Sequence, residues 1–327
     1  MTHSESGLDK KTVVGVDVGG TKISAALVDE RGQLLGYQAR PTTILSTEAT
    51  LDSIAELILE ILRKEKKRST DIKGIGLGIP GLVDPDRGIG IASVNLQWEN
   101  VFVKDEIQKR IGIPCVIEND VKAAALGELR YGESKGIKDL IYLNIGTGVA
   151  AAIILNGKIY RGQKDMAGEI GHAVVDINGP ICKCGGRGCL EAIISGPSII
   201  KRIQEKIELG QNTSLAKQLS EKIDLTPKEI YEAASAGDIV ARETVNEVSR
   251  FLANAIQFLA LAYDPQRIVL GGGVVYSTPL FFENLMSVIH GLAQESWVFR
   301  HLLTPNLIKV TKLGNHIGIL GAAALIP

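Results

Sequence analysis

Residues 13–36 read VVGVDVGGTKISAALVDERGQLLG, and the order of residue types in that stretch decides the fold. A run of β-branched residues, the mark of a buried strand, ends beside one acid, Asp17. A Gly-Gly-Thr turn follows, an Ala-rich apolar strand leaves it, and a second turn, ERGQ, opens a third strand. The pattern returns at residues 140–162, LIYLNIGTGVAAAIILNGKIYRG, where Asn144 takes the place of Asp17 and the turn reads Gly-Thr-Gly. Both stretches predict antiparallel meanders whose first turn exposes its backbone.

Such a turn suits an anion. Gly19, Gly20, Gly146 and Gly148 carry no Cβ, so a phosphate can approach their N–H groups closely. Thr21 and Thr147 add hydroxyls, and Lys22 belongs with the first turn. Asp17 would repel a phosphate unless a cation lay between, which assigns it to Mg²⁺. One glycine turn is ordinary hairpin chemistry; two in matching contexts point to phosphate binding. No G-x-x-x-x-G-K-[ST] occurs, and no G-x-G-x-x-G leads from the first strand into a helix, so P-loop and dinucleotide folds are excluded. A third cluster, Gly271, Gly272 and Gly273 in PQRIVLGGGVVYS, reads either as a tight strand-to-helix turn or as bare backbone for adenosine.

The remaining chain alternates strands and helices. TLDSIAELILEILR (50–63) has helical spacing, closed by the solvated basic run RKEKKR. IKGIGLGIPGLVDPDRG (72–88) is a buried strand running into a turn at Pro80 and Gly81. PCVIEND is a short strand that enters the helix VKAAALGELRYG. From Ser195 to Phe258 the pattern is mostly amphipathic helix, one of them capped by Thr226 before Pro227. The expected organisation is an α/β protein with a disordered tail over 1–12, a small lobe over 13–118 and a large lobe over 119–314. The lobes are expected to meet between Ile117 and Ala125 around a cleft, and residues 315–327 to pack back on the first. Of the 327 residues, 45 % are hydrophobic and the net charge is −1. That balance excludes global disorder and a chain-wide nucleic-acid surface. The first ten residues lack a signal peptide's apolar stretch, and no run is long enough to span a membrane. A cytoplasmic protein is the expectation.

Two further stretches carry chemistry. Glu118-Asn119-Asp120 stands where a strand meets a helix, so Asp120 reads either as a helix cap or as a carboxylate facing a cleft, able to take a proton from a hydroxyl. Residues 169–191 read EIGHAVVDINGPICKCGGRGCLE. His172, Cys182, Cys184 and Cys189 make a three-thiolate, one-imidazole set, a closed composition for structural Zn²⁺. Gly185, Gly186 and Gly188 let the loop fold back so that Cys189 reaches the ion. A redox pair would leave the third cysteine and the histidine unexplained. Glu169 and Glu191 flank the set, and carboxylates beside an imidazole suit the vicinal hydroxyls of a sugar. Cys115 reads as a small buried hydrophobe.

Taken together, DVGGT, GIPG, END, NIGTG, EIGH, CKCGGRGCLE and LGGG resemble the ROK family of sugar kinases and regulators, and within it the bacterial ATP-dependent glucokinases. The likeness runs in order from about Val13 to the C-terminus. It implies an actin-like ATPase fold of the ribonuclease H-like, hexokinase type. It also implies Asp120 as the base that primes a hexose, above all glucose, for phosphorylation by ATP·Mg²⁺. The sugar would be held by Asn119, Glu169, His172 and Glu191, with Gly81 and with Asn95 of SVNLQW. Family members commonly form homodimers or homotetramers. Those that are repressors carry a DNA-binding domain ahead of the first turn; twelve residues precede Val13, too few for one. A kinase for another hexose or for N-acetylmannosamine, and a sugar-sensing regulator without turnover, are the alternatives.

Overall fold

The structure, a computed structural model, describes residues 12–220 and 224–327. Its contacts divide the chain into two units: one runs to Gly136 and includes Gly162–Met166 and His316–Pro327; the other takes Ile137–Arg161 and Ala167–Asn315.

In the first unit, β1 (Thr12–Val18), β2 (Lys22–Val28), β3 (Leu34–Pro41), β4 (Ile72–Ile79) and, after three short strands, β8 (Cys115–Asn119) form one sheet in the order β3-β2-β1-β4-β8. The β1–β2–β3 part is antiparallel, and β4 and β8 add in parallel. Three short strands, β5 (Leu82–Asp84), β6 (Ile89–Ser93) and β7 (Trp98–Val101), make a separate antiparallel sheet. Alternation along β1 sorts its residues by partner. Val14, Val16 and Val18 join the core with Ile54 and Ile58 of helix α1 (Thr47–Lys64) and Ile107 of α2 (Val103–Ile111). Gly15 and Asp17 face the other way, toward the C-terminal helix Ile317–Ala324. That helix comes down to backbone contact: a Cβ on Gly15 would stand 2.2 Å from the Ile319 carbonyl, and one on Gly76 1.8 Å from that of Ala322.

The second unit repeats the plan. β9 (Leu140–Ile145), β10 (Val149–Leu155), β11 (Lys158–Tyr160), β12 (Arg267–Gly271) and β13 (Ile308–Val310) lie in the order β11-β10-β9-β12-β13. Again three strands are antiparallel and two join in parallel. The registers agree as well: Asp17 sits beside Gly78 of β4, and Asn144 beside Gly271 of β12. Its core packs Ile141, Leu143 and Ile268 of the sheet with Val248, Leu252 and Ile256 of the long helix Ile239–Tyr263. The other helices of this unit include Gly196–Glu208, Pro227–Ser235 and Pro279–Glu295.

The helix α3 (Asp120–Tyr131) belongs to the first unit by its contacts, because it packs on the C-terminal helix of that unit. There Gly127 is tight against Gly321, with 2.7 Å from a Cβ to the Gly321 nitrogen. Lys122, on α3, also draws Gly162–Met166 into that unit by donating to the Asp165 carbonyl at 2.6 Å. The tail expected over 1–12 lies outside the described residues except for Thr12, which opens β1. Among the described residues no helix is long and apolar enough to cross a membrane.

Candidate active site

The first glycine turn is held by its own backbone and by a residue the sequence reading passed over. Gly19 donates to the Lys22 carbonyl at 2.9 Å. Thr42 then stitches the loop from outside: its N–H donates to the Thr21 carbonyl at 3.0 Å and its hydroxyl to the Gly19 carbonyl at 2.6 Å. No motif marks Thr42, which follows β3 and reaches the turn only through strand pairing. None of Gly19, Gly20, Gly146 and Gly148 has a left-handed φ. At Gly20 space opposes a side chain: a Cβ would come within 2.9 Å of the Asn95 Cβ, so Asn95 is brought beside this turn. Thr21 and Lys22 are exposed.

Asp17 stands at the end of β1, where the first turn of the C-terminal helix arrives. A Cβ on Gly318 would fall 2.5 Å from the Asp17 carboxylate, so a side chain at 318 would have to displace that group. Burial pushes the Asp17 carboxyl up to about 6, with Lys22 opposing. A buried carboxylate at a strand end suits a hard cation, which would return it to the charged form. The signal for Gly318 was present in the sequence as the small-residue spacing of GILGAAA, whose partner could not be read from it.

At the β8–α3 junction the structure separates two adjacent roles. Asn119, not Asp120, is the helix cap: its Oδ1 accepts from the N–H groups of Val121 and Lys122, each at 3.1 Å. Its amide nitrogen donates to the Gly81 carbonyl at 3.0 Å, which brings Asn119 and Gly81 together. Gly81 has φ +98°, and a Cβ there would strike the Ala92 carbonyl at 2.3 Å. Asp120 is the first helical residue, and its Oδ1 accepts from the Val121 N–H at 2.9 Å. A carboxylate there is favoured in its charged form by the helix N-terminus. Glu118 is buried and accepts from the Asn119 N–H at 2.8 Å, so it shapes the junction from below.

In the second unit, Gly146 donates to the Gly148 carbonyl at 2.9 Å, closing the turn around Thr147. The third glycine cluster lies beside it, since a Cβ on Gly146 would be 3.6 Å from the Gly273 nitrogen. The three glycines there differ in their reasons. Gly271 is packed against the Tyr142 hydroxyl; Gly272 has φ +99° and presses on the Ile145 carbonyl; Gly273 faces open space. Two of them are therefore required by the strand-to-helix turn, and Gly273 is the one with room for a ligand.

The cysteine loop closes on itself. Cys182 donates to the Gly186 carbonyl at 2.7 Å, Val175 to that of Gly188 at 2.9 Å, and Leu190 to that of Ala173 at 2.9 Å. Gly185 and Gly188 hold φ of +89° and +72°. One donor atom each from His172, Cys182, Cys184 and Cys189 lie within 4.8 Å of one another, and the imidazole Nδ1 is 3.8 Å from the Cys182 sulfur. This set is compatible with zinc: three soft thiolates and one imidazole make a four-ligand composition that suits a structural ion. Glu169 is exposed at the head of the short turn Ile170–His172. Glu191 reaches back to the second glycine turn, where its Oε2 accepts from the Val149 N–H at 2.9 Å.

The profile of the ROK family matches residues 13–327. A glucokinase of Halalkalibacterium halodurans is 33 % identical over 315 residues, which span 96 % of this chain and 94 % of the relative. A xylose repressor of Caldicellulosiruptor bescii is 30 % identical over 97 % of this chain and 78 % of its own length. Among solved structures, a ROK family glucokinase from Streptomyces griseus in complex with glucose and AMPPNP superposes with a TM-score of 0.79 at 30 % identity, covering 96 % of this chain and 99 % of that one.

Proposed function

The chain belongs to the ROK family, and from that membership we propose that it is an ATP-dependent sugar kinase that transfers the γ-phosphate of ATP to the 6-hydroxyl of glucose. The fold is the actin-like one of the ROK hexokinases and glucokinases. The observation that carries the reading is the division at the β8–α3 junction. Asn119 supplies the helix cap through its Oδ1, and Asp120 places its carboxylate at the first helical position, where it accepts from the Val121 N–H and where a helix N-terminus favours negative charge. Asp120 accepts the proton of the sugar hydroxyl as that oxygen bonds to the γ-phosphorus and the bond to the β-phosphate oxygen breaks, releasing ADP. Without that acceptor the hydroxyl is a poor nucleophile at neutral pH.

The proposed sugar contacts are Gly81, Asn95, Asn119, Asp120, Glu169, His172 and Glu191. The proposed ATP contacts are Gly19, Gly20, Thr21 and Lys22 of the first turn, Gly146, Thr147 and Gly148 of the second, and the cluster Gly271, Gly272 and Gly273. Asp17 is the residue that would hold Mg²⁺, which supplies charge neutralisation on the phosphates. His172, Cys182, Cys184 and Cys189 would hold Zn²⁺, whose contribution is stiffness. Glucose is favoured by the glucokinases among the relatives and by the neighbour solved with glucose and AMPPNP. The reading carries a cytoplasmic homodimer or homotetramer in carbohydrate metabolism.

A second reading, a sugar-sensing regulator without turnover, is favoured by the xylose repressors among the relatives. One ATP-coupled assay over glucose, mannose, fructose, allose and N-acetylmannosamine separates the two. Turnover with glucose above all others is the expected result. Turnover of a different sugar would reassign the substrate, and binding without turnover would leave only the regulator.

A further inference from the structure

Glu191 enters the kinase reading as a sugar ligand, yet its carboxylate is engaged elsewhere. Its Oε2 accepts from the Val149 N–H at 2.9 Å, and a Cβ on Gly148 would be 2.8 Å from that same oxygen. Val149 is the first residue of β10, directly after the Gly146–Thr147–Gly148 turn. Five residues beyond Glu191, Gly196 donates its N–H to the Gly146 carbonyl at 2.8 Å. The segment after Cys189 thus grips the turn at both ends.

The other side of Val149 is occupied too. A Cβ on Gly171 would stand 2.0 Å from the Val149 carbonyl, so the short turn that carries His172 lies flat on that peptide. Gly168, just upstream, accepts from the Ala151 N–H at 2.7 Å and continues the contact along β10. Val149 is therefore held by two segments, one ending in His172 and the other beginning at Cys189. Those two residues are brought into one cluster with Cys182 and Cys184. A metal bound by all four would fix the spacing of the two grips, and so the attitude of the turn between them. This is the way outer residues orient a site they do not themselves complete.

We infer that Glu191 is a positioning residue for the second phosphate turn, and that the Cys/His cluster acts on nucleotide binding through the grip on Val149. The inference rests on the kinase reading for its ligand, ATP, though its geometry does not. Positioning matters here because phosphoryl transfer depends on holding the phosphates in line more than on covalent chemistry.

The test uses two substitutions in the full-length, metal-loaded protein. Glu191→Gln keeps an oxygen that can accept from the Val149 N–H, while Glu191→Ala removes it. AMPPNP affinity is measured calorimetrically without sugar, and amide hydrogen exchange is followed in the peptide spanning residues 145–150. The expected result is a loss of AMPPNP affinity of about tenfold in Glu191→Ala. Glu191→Gln should stay within about twofold of the parent, whereas both lose glucose affinity through the missing charge. Exchange at Val149 should speed up in Glu191→Ala and after removal of the metal with a chelator, but not in Glu191→Gln. Parent-like AMPPNP binding together with parent-like exchange in Glu191→Ala would overturn the inference, as would exchange that a chelator leaves unchanged. If the parent binds no AMPPNP at all, the kinase reading fails, and the exchange comparison still decides whether Glu191 positions the turn. Exchange elsewhere in the sheet reports on folding, so a collapsed variant is recognised as such.

Discussion

Asn119 and Asp120 have side chains of nearly the same size, and their neighbours give them different duties. Asn119 spends its oxygen on two helix N–H groups and its nitrogen on Gly81, which fixes the junction. Asp120 is left as the residue whose charge the helix terminus supports. Asp120→Asn keeps the size and removes the base, so kcat is expected to fall by about 10²–10⁴ while glucose affinity changes little. A steady-state assay paired with calorimetry would read both, and phosphorylation at the parent rate would exclude Asp120 as base. Asp17 makes a second prediction at this scale. Its carboxyl is raised to about 6 by burial, with Lys22 opposing, against a value near 4 in the unfolded chain. The folded state therefore binds this proton more tightly than the unfolded one, so the contribution of Asp17 to stability is fully present below pH 4 and is lost as pH rises through 6. In metal-free, nucleotide-free protein, Asp17→Asn should be more stable than the parent by roughly 1–3 kcal/mol at pH 7.5, and equal to it near pH 4. Urea midpoints at the two pH values would check this.

The elements show how local signals reach their limit. The helix Ile239–Tyr263 starts at Asp238, which caps Ala241 at 3.0 Å and also accepts from Thr213 and Ser214 at 2.8 and 2.7 Å. Burial pushes the Asp238 carboxyl up, but these hydrogen bonds outweigh it and hold the group at about 2. The cap's stabilisation is present above the unfolded carboxylate value near 4 and fades as pH falls toward 2. Asp238→Ala should cost about 1–2 kcal/mol at pH 7, with the difference shrinking below pH 4; thermal unfolding across that range would show it. The sequence announces such helices through apolar spacing, as it does for Thr47–Lys64, whose buried face follows the expected period. It also announces both meanders, because strand, turn and strand are adjacent in the chain. It does not announce that the last helix lies across β1 and β4. The glycines that allow it, Gly15, Gly76 and Gly318, look like ordinary small residues until the segments meet.

For the whole molecule, two five-stranded sheets with the same strand order match the repeated meander. Each meander sits on one half of its sheet, and the parallel strands that complete it come from distant sequence: β4 and β8 in one case, β12 and β13 in the other. The cluster of His172 and three cysteines bears on stability at this scale. Purified protein is expected to contain about one zinc per chain, and its removal to lower the melting temperature by several degrees, as the loss of a structural metal implies. Emission spectrometry with calorimetry before and after chelation measures both, and metal-free protein at full stability would count against a structural zinc.

The sequence by itself determined the α/β class, the two glycine turns and the composition of the metal cluster, because each is written in neighbouring residues where backbone chemistry and spacing suffice. Only the tertiary structure decided that Asn119 rather than Asp120 is the cap, that Thr42 braces the first turn, and that Glu191 is bonded to Val149. It also packed α3 against the C-terminal helix. Those outcomes depend on which distant segments share a surface, and a linear pattern carries no term for the space that a missing Cβ leaves or for the donor that finally reaches an oxygen.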